Sequence, residues 1–444
     1  MVTWSFPPEI ALWISFLAEP LHARVRARLL TICLGLVFAQ GRRTVASWLR
    51  GAGVGREFRL YYYFLGSLGR KTQPLASRLL RLIQERVPLG ERLLLALDDS
   101  PTKRFGPRVE GAGIHHNPTP GPAGQKFLYG HVWVTLGWLT RHPWWGTIAL
   151  PLLAQLYVRA KDVPKIAPWY HWKFRTKLEQ AAELVEWAVR WLNYLKTPIW
   201  VVADGAYAKR PFMKRALAAG VTIVSRLRKD AALCSVPRLP KAGRTRAGRP
   251  RKYGAAKISL AKRAGQKKGW QTEEFQLYGQ CVKKTFKTFQ ATYRPVGGMI
   301  RVVLVKEEES WVAFFCTNPD ASVAQILEAV ADRAAIEQVF HDVKEVHGAG
   351  QQQVRNLWAN IAVYHLNLWM HTLVELWAWG RSHAQLCDRK DSPWDNADRR
   401  PSHADRRNAL RRECLRLEFL RLTIHKPVTR KIRQLFARLT KMVA

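Results

Sequence analysis

The alternation of hydrophobic and polar positions divides the chain into a helical beginning, a mixed middle and a helical end. In residues 1–90, apolar side chains recur every three or four positions, which predicts amphipathic helices. These helices are predicted at Ile10–Phe16, His22–Gln40 and Gln73–Val87. Arg42–Leu65 predicts shorter helices joined by a glycine turn, which fits either a helix-turn-helix or a plain helical bundle. Four basic residues there favour contact with DNA: Arg42, Arg43, Arg50 and Arg56.

After residue 90 the pattern changes to short apolar runs that alternate with amphipathic segments. The predicted order is strand, loop, strand, strand, helix, strand, helix, strand, which indicates a mixed α/β core over residues 91–230. Strands are predicted at Leu93–Leu97, Leu128–Leu139, Gly146–Val158, Pro198–Ala203 and Val221–Arg226, and helices at Lys173–Leu195 and Lys209–Ala219. The apolar stretch His131–Val158 is interrupted at Arg141–Pro143. Neither part is long enough to span a bilayer, so we interpret the stretch as two buried strands.

A basic segment follows the α/β core. Between Ala231 and Trp270 there are twelve Lys and Arg residues and no Asp or Glu. Strand-like segments come next, so we expect a basic, β-rich insertion over residues 231–320. The predicted strands are Glu274–Tyr278, Thr288–Arg294, Met299–Lys306 and Ser310–Cys316.

Two features of the insertion are candidates for DNA contact. Arg249, Arg251 and Lys252 surround a Gly-Arg-Pro sequence that resembles the arms that enter a narrow minor groove. The alternative for these residues is a basic loop that contacts only phosphates. Trp270 is a candidate for stacking on an unpaired or flipped base near a cut. Because the chain has 19 Trp residues, packing in the core is the alternative for this side chain.

The rest of the chain is predicted to be mostly helical. One helix begins near Val323, helical sequence continues at Asn356–Trp379, and Arg406–Met442 is basic and helical. The polar segment Asp388–His403 predicts a linker or mobile loop. We therefore expect the last core helix within residues 321–350 and a basic helical region over residues 351–444. Residues 1–90 are expected to form a helical, DNA-binding domain.

Charge narrows the choice of partner. The chain has 72 Lys and Arg residues against 33 Asp and Glu, a formal net charge of +39. Such a charge indicates association with a polyanion, and the alternatives to DNA are an acidic membrane surface or the ribosome. The six cysteines are scattered without a CxxC spacing, so we expect free thiols in a reducing compartment. The first residues lack the pattern of a signal peptide, and we expect a cytoplasmic protein.

Three cation and carboxylate positions share one face of the helix that follows Val323. Arg333, Glu337 and Lys344 are separated by four and then seven residues, which places them on one helical stripe beside an apolar face. Mixed charges at these spacings are usually a solvated face with pairs inside the helix. The alternative is a helix that holds a metal ion and binds phosphates around it.

Two further carboxylates make that alternative more attractive. Asp98 or Asp99 ends the first predicted strand of the core, and Asp204 ends a later one. Open α/β sheets place their sites at the carboxyl ends of strands. Together with Glu337, two such carboxylates provide oxygen ligands for two Mg²⁺ ions, which act on phosphodiesters in enzymes. Taken singly, each carboxylate is equally compatible with a polar strand end or a turn.

Three segments carry a resemblance to a known family: Leu94–Gly106 (LLALDDSPTKRFG), Trp200–Phe212 (WVVADGAYAKRPF) and Asp332–Gly348 (DRAAIEQVFHDVKEVHG). They resemble bacterial insertion-sequence DDE transposases, of the cut-and-paste group with a β-strand insertion in an RNase H-like core. The last segment is similar to the signature Tyr-x2-Arg-x3-Glu-x6-Lys of that group, with Arg333, Glu337 and Lys344 in place. The tyrosine position is Val330, which departs from the signature.

The resemblance implies an α/β, RNase H-like mixed sheet with an N-terminal helical domain and a β-rich insertion before the last catalytic helix. It implies that Asp99, Asp204 and Glu337 are the catalytic and metal-binding residues. Asp99 is preferred to Asp98 because the family's ligand directly precedes a Ser or Thr, here Ser100. Arg333 and Lys344 would hold the phosphates of the DNA end.

The implied function is DNA transposition. The cofactor would be two Mg²⁺ ions, with Mn²⁺ as a substitute, and the partners would be the terminal inverted repeats of the element and target DNA. We expect a nucleoid-associated protein that is a homodimer on DNA, without a membrane partner. The alternatives are a catalytically inactive DNA-binding protein derived from a transposase, or an RNase H-like nuclease without strand transfer.

Overall fold

The structure is a computed structural model of the 444-residue chain. It describes residues 5–117, 126–237, 251–387, 389, 394–396, 398–423 and 429–443. The elements form two parts that pack against each other, a twelve-stranded mixed sheet and a set of helices contributed by both ends of the chain. In the described part of the chain, no helix is both long enough and apolar enough to cross a membrane.

The N-terminal region is helical, as its periodicity predicts. Its helices are α1 (Pro8–Ala18), α2 (Ala23–Phe38), α3 (Val45–Gly51), α4 (Phe58–Gly69) and α5 (Thr72–Arg86). The Thr44 side chain accepts a hydrogen bond from Ser47 N and so caps the start of α3. At the end of α4, a Cβ on Gly69 would collide with the backbone of Trp358, so glycine permits the close approach of α4 to the C-terminal half of the chain.

The core sheet is built from six strands and the helices between them. These are β1 (Leu93–Lys103), β2 (Gly113–His116), β3 (Phe127–His142), β4 (Gly146–Tyr157), α6 (Lys177–Leu192), β5 (Ile199–Ala203), α7 (Arg210–Ala218) and β6 (Thr222–Leu227). Strand β1 lies between antiparallel β3 and parallel β5, and β6 continues the sheet in parallel beyond β5. The mixture of parallel and antiparallel pairs is that of an RNase H-like core, and the predicted α/β fold class is confirmed.

The region predicted as a β-rich insertion extends this same sheet. Its elements are β7 (Leu233–Cys234), β8 (Lys257–Ile258), α8 (Leu260–Gly265), β9 (Gln271–Leu277), β10 (Gln280–Tyr293), β11 (Gly298–Lys306) and β12 (Trp311–Cys316). Strand β12 pairs with β6, and β11 and β10 follow as antiparallel neighbours. The insertion is therefore hydrogen-bonded to the core at β6.

The remaining helices are α9 (Val323–Asp332), α10 (Ala334–Glu345), α11 (Leu357–Ala378), α12 (His383–Leu386), α13 (His403–Thr423) and α14 (Arg430–Val443). The single helix expected from Val323 is thus two helices that meet at Arg333, which itself keeps helical dihedral angles. Nearly every residue of α11 is buried, because sheet and helices cover it on all sides.

A buried ionic network joins α11 to α13. Arg406 Nη1 donates to both carboxylate oxygens of Glu375, at 2.6 and 2.5 Å, and His403 Nδ1 lies 2.6 Å from the first of them. Burial raises the pKa of Glu375, but Arg406 and His403 overcome that effect and hold the pKa below its ordinary value. The C-terminal region is therefore fixed to the rest of the molecule by a charge pair that water does not reach.

We predict that Glu375→Gln destabilises the protein by about 3–5 kcal/mol, because it leaves the buried Arg406 guanidinium without its counter-ion. The measurement is chemical denaturation. The matched control is Glu413→Gln, which breaks the exposed pair with Arg416 at 2.9 Å and should cost no more than about 1 kcal/mol. Equal effects of the two substitutions would contradict the role given to the buried network.

Candidate active site

The register of the sheet brings two acidic residues side by side. The parallel pairing of β1 and β5 ends with Leu97 opposite Ala203, and the next residues of the two strands are Asp98 and Asp204. Asp204 stops its strand by capping a short 3₁₀ turn, where its Oδ2 accepts a hydrogen bond from Ala206 N at 3.4 Å. Asp98, by contrast, lies inside β1, which continues to Lys103 instead of ending at the aspartates as the sequence predicted.

Arg333 connects this edge of the sheet to the helix that carries the third carboxylate. Its Nη1 donates to Asp98 Oδ2 at 2.6 Å and its Nη2 donates to Glu337 Oε1 at 2.6 Å. The charge of Asp204 is also close enough to contribute to a raised Arg333 pKa, against the opposing effect of burial. Asp98, Asp204 and Glu337 therefore surround one guanidinium.

The environment of Asp98 is unfavourable for an isolated negative charge. Burial raises the pKa of this carboxyl group to about 6, and the charges of Asp99 and Asp204 act in the same direction. Arg333 and the Asp99 N–H, which donates to Asp98 Oδ1 at 2.8 Å, only partly offset the increase. A second cation near Asp98 would therefore stabilise its ionised form.

Asp99 lies on the opposite face of the sheet, because successive side chains of a strand alternate. Its Oδ2 accepts a hydrogen bond from Lys177 Nζ at 2.6 Å, and its Oδ1 accepts one from Tyr207 Oη at 2.8 Å. Lys177 begins α6, which packs on the face away from α10. Of the three carboxylates predicted from the sequence, the structure brings Asp204 and Glu337 to Arg333 and leaves Asp99 with other partners.

The donor set around Arg333 fits a hard divalent cation. It consists of carboxylate oxygens, which Mg²⁺ and similar ions prefer, and the side chain of Glu337 is 58% exposed. Burial and the neighbouring carboxylates raise the pKa of Asp98, so a divalent cation beside it would favour the ionised form that a ligand needs. Asp98, Asp204 and Glu337 are the residues that would hold such an ion, and Arg333 would then share its partners with it.

Lys344 lies two turns further along α10 and is mostly buried. Burial lowers its pKa, and the charge of Glu345 opposes that shift. Among the residues that the structure describes, none forms a hydrogen bond or ion pair with the Lys344 ammonium group. Val330, at the tyrosine position of the signature, packs against the hydrophobic core from α9.

A basic cleft lies beside the end of β1, and sequence reasoning missed it. It has a volume of about 550 Å³ and is lined by residues from three distant segments, including Arg42, Phe105, Arg108 and Arg355. The Phe105 side chain is 71% exposed, and the Arg42 guanidinium lies 5.8 Å from its ring centroid. Only the tertiary fold brings these cations together, so no local pattern in the sequence marks them as a group.

The insertion residues predicted to contact DNA have mixed placements. Arg251 and Lys252 are exposed, whereas Arg249 falls outside the described residues. Trp270 is half-buried, and its indole N–H donates to Gln266 O at 3.1 Å. The Lys287 ammonium lies 4.8 Å from the Trp270 ring centroid and covers that face of the ring. The structure therefore supports packing more directly than base stacking for this tryptophan.

A second cluster of metal-ligand residue types was not foreseen. His371, Glu375 and His403 bring potential ligand atoms within 4.8 Å of one another, and all three residues are buried. His403 Nε2 also lies 2.8 Å from His347 Nε2. Arg406 already binds both oxygens of Glu375, and its positive charge would oppose a metal ion there. We describe the cluster as the buried network between α11 and α13.

The comparisons with known proteins agree with this geometry. The family described as DDE superfamily endonuclease matches residues 16–286, more than half of the chain. The matched segment contains Asp98, Asp99 and Asp204 and ends before Arg333 and Glu337. A search of curated proteins found no match. On the strength of the family match and of the mixed sheet with its acidic site, the chain belongs to the DDE superfamily endonucleases.

Proposed function

We propose that this endonuclease is a DNA transposase of the insertion-sequence type, with Asp98, Asp204 and Glu337 as its catalytic carboxylates. The observation that carries the proposal is the pair of 2.6 Å contacts from Arg333 to Asp98 and Glu337. Asp204 lies beside them, because it follows Ala203, the residue of β5 that pairs with Leu97. The first ligand in this proposal is Asp98 and not Asp99, because Asp99 faces α6 and is occupied by Lys177 and Tyr207.

Divalent metal ions, which we propose to be two Mg²⁺, would supply an activated water or 3′-hydroxyl and stabilise the leaving 3′-oxygen at a phosphodiester. The protein's own part is to hold carboxylates from β1, β5 and α10 at one edge of the sheet. Pairing with β3 fixes the backbone of β1 at Asp98, so the position of this carboxylate is set by the sheet.

Arg333 and Lys344 would position the DNA end. A guanidinium matches carboxylate and phosphate oxygens equally well, so Arg333 can exchange one of its carboxylates for a phosphate. Lys344 has no counter-ion among the described residues and offers a point charge two turns along the same helix. The two side chains are separated by about 16 Å along the axis, at 1.5 Å per residue, which spans more than one phosphate of a strand.

DNA is the partner that the surface supports best. The basic cleft at Arg42, Phe105, Arg108 and Arg355 adjoins the loop that follows α10. The net charge of +39 adds a long-range attraction to phosphates. We propose that the terminal repeats of the element occupy this side of the molecule. The exposed Arg251 and Lys252 would add contacts from the insertion, and a homodimer would hold two DNA ends together.

Strand transfer separates this proposal from the alternatives. With Mg²⁺ and a duplex made from the DNA that flanks the gene, we expect cleavage at the element end and joining of the new 3′-hydroxyl to a target plasmid. Cleavage without joining would indicate an RNase H-like nuclease. Binding without cleavage, in either Mg²⁺ or Mn²⁺, would indicate a catalytically inactive DNA-binding protein.

We predict that Asp98→Asn, Asp204→Asn and Glu337→Gln each reduce end cleavage to background, because each removes a ligand charge. Binding of the same duplex should stay close to wild type. The measurement is single-turnover cleavage together with a gel-shift titration.

Asp99→Asn is the matched control, since it makes the same change one residue away on the other face of β1. It should retain cleavage. If Asp99→Asn abolishes cleavage while Asp98→Asn does not, the proposed first ligand is the wrong aspartate.

We predict that Arg333→Lys impairs cleavage more than Lys344→Arg, although both substitutions keep the charge. Lysine cannot span Asp98 and Glu337 or donate two parallel bonds to a phosphate, whereas arginine can replace a point charge. The readout is single-turnover cleavage of an end substrate, compared with Arg333→Ala and Lys344→Ala. If both alanine variants cleave and join DNA at wild-type rates, these cations are only parts of a solvated helix face.

A further inference from the structure

Arg411 on α13 is a buried cation without a partner of opposite charge. Its side chain is 6% exposed, and its Nε has no hydrogen-bond partner. Among the described residues, none forms an ion pair with it, and its guanidinium lies 5.5 Å from the Phe38 ring centroid. Arginine is almost never fully buried unless it is paired, so this position requires an explanation.

Two more arginines intensify the positive charge around Arg411. Arg407, one turn earlier on α13, is 4% exposed, and within the described part of the chain it donates to the carbonyl oxygens of Leu36 and Val37 and to no carboxylate. Burial, together with the charges of Arg43 and Arg411, lowers the pKa of Arg407 to about 9. Arg43 follows α2, is half-buried, and likewise lowers the pKa of Arg411 after the larger effect of burial. We call Arg43, Arg407 and Arg411 the arginine cluster.

A cavity opens beside the cluster, and Arg411 lines it. The cavity has a volume of about 600 Å³ and lies between α2, α3, α13 and α14. Arg50, Gln40 and Ser47 add polar groups to its wall, and no carboxylate occurs among its described lining residues. Thr440 adds a further hydroxyl, and the large apolar side chains of the wall are those of Phe38, Leu415, Phe436 and Leu439.

The charge balance of this cavity identifies the class of ligand. Removing a cation from water is costly unless a counter-charge replaces the hydration. Here three guanidiniums repel one another, and the charge of Glu345, at the end of α10, acts on Arg43. An oxyanion in the cavity would supply the missing charge, and arginine is the residue best suited to bind phosphate oxygens.

We propose that the cavity lined by Arg411 and Arg50 binds a phosphate group, and that in the working enzyme this group is a phosphodiester of the bound DNA. The apolar wall would accept the sugar beside that phosphate. The identification of this phosphate as part of DNA rests on the proposed function, whereas the proposal of an oxyanion site does not.

The position of the cluster relates the site to the catalytic helix. Arg43 N donates a hydrogen bond to Gln351 Oε1 at 2.8 Å, and Gln352 Nε2 donates to Arg43 O at 3.2 Å. These glutamines belong to the loop that leaves α10, and the same loop lines the basic cleft. A phosphate held by α13 would thus extend the DNA-binding surface from the cleft to the C-terminal region, which the family match does not reach.

The first experiment uses the full-length protein with neither DNA nor metal. Thermal unfolding is followed in sodium phosphate and in sodium chloride of equal ionic strength, for wild type, Arg411→Met, Arg411→Lys and Arg416→Met. Arg416 is on the same helix but is 62% exposed and paired with Glu413, so Arg416→Met controls for the loss of one positive charge. Phosphate also stabilises proteins without binding them, and that effect should be common to all four.

We expect phosphate to raise the unfolding midpoints of wild type and Arg416→Met by more than it raises the midpoint of Arg411→Met. Arg411→Lys should give a reduced shift, because it keeps the charge with fewer donors. In chloride, Arg411→Met should unfold no lower than wild type, since it removes an unpaired buried cation. The proposal is overturned if phosphate raises the midpoint of Arg411→Met as much as that of wild type. If Arg411→Met does not fold, the same comparison is made with Arg411→Lys. A methionine variant that folds but is much less stable than wild type in chloride would show a purely structural arginine and would also overturn the proposal.

The second experiment identifies the source of the phosphate. The logarithm of the duplex binding constant is measured against the logarithm of salt concentration. Loss of one phosphate contact should make the slope shallower by about 0.9 for Arg411→Met and leave Arg416→Met unchanged. An unchanged slope for Arg411→Met, together with stabilisation by phosphate that depends on Arg411, would reject DNA as the source of the phosphate and leave a site for free phosphate.

Failure of the protein to cleave or join DNA would reject the proposed transposase without altering the result of the first experiment.

Discussion

The contact of one guanidinium with carboxylates from two different elements is the interaction on which the candidate active site depends. Asp98 is fixed in the middle of the sheet, whereas Glu337 is on a helix that could in principle rotate or slide. Arg333 holds both at 2.6 Å and so sets where the helix stands against the sheet. Without a cation between them, the carboxylates would repel one another, and burial already raises the pKa of Asp98. A site that gathers acidic groups must therefore contain positive charge even before any metal binds.

The packing around α10 is arranged to keep that contact in place. Ile336 is buried on the sheet side of the helix, beside Gly137 of β3. Asp332, just before Arg333, accepts a hydrogen bond from Thr147 on β4 at 2.5 Å. Beyond the other end of the helix, Gln351 and Gln352 bind the backbone of Arg43. Helix α10 is thus held at both ends, by the sheet at its start and by the N-terminal helices through the loop at its end.

The sequence predicted most elements of this fold, and it failed where distant segments decide the outcome. Amphipathic and apolar periods placed α6, β5 and β11 within a few residues of their observed bounds. They did not show that β1 runs past its aspartates, because the extra length is stabilised by pairing with β3. Adjacent aspartates have the same local context, and only the register with β5 and the position of α10 distinguish their faces. The basic cleft was missed for the same reason, since its cations are far apart in the chain.

The distribution of charge separates two uses of arginine in this protein. With 72 basic and 33 acidic residues, many cations cannot find a carboxylate, and most of these can remain in water at little cost. Arg406 shows the structural use, because it is buried and its Nη1 donates to both carboxylate oxygens of Glu375. Arg411 is equally buried on the same helix, yet it borders a cavity, and the described residues give it the ring of Phe38 in place of a carboxylate. Burial alone therefore does not identify a binding residue in so basic a chain. The informative combination is burial together with a missing counter-charge and an adjoining space that an anion can enter.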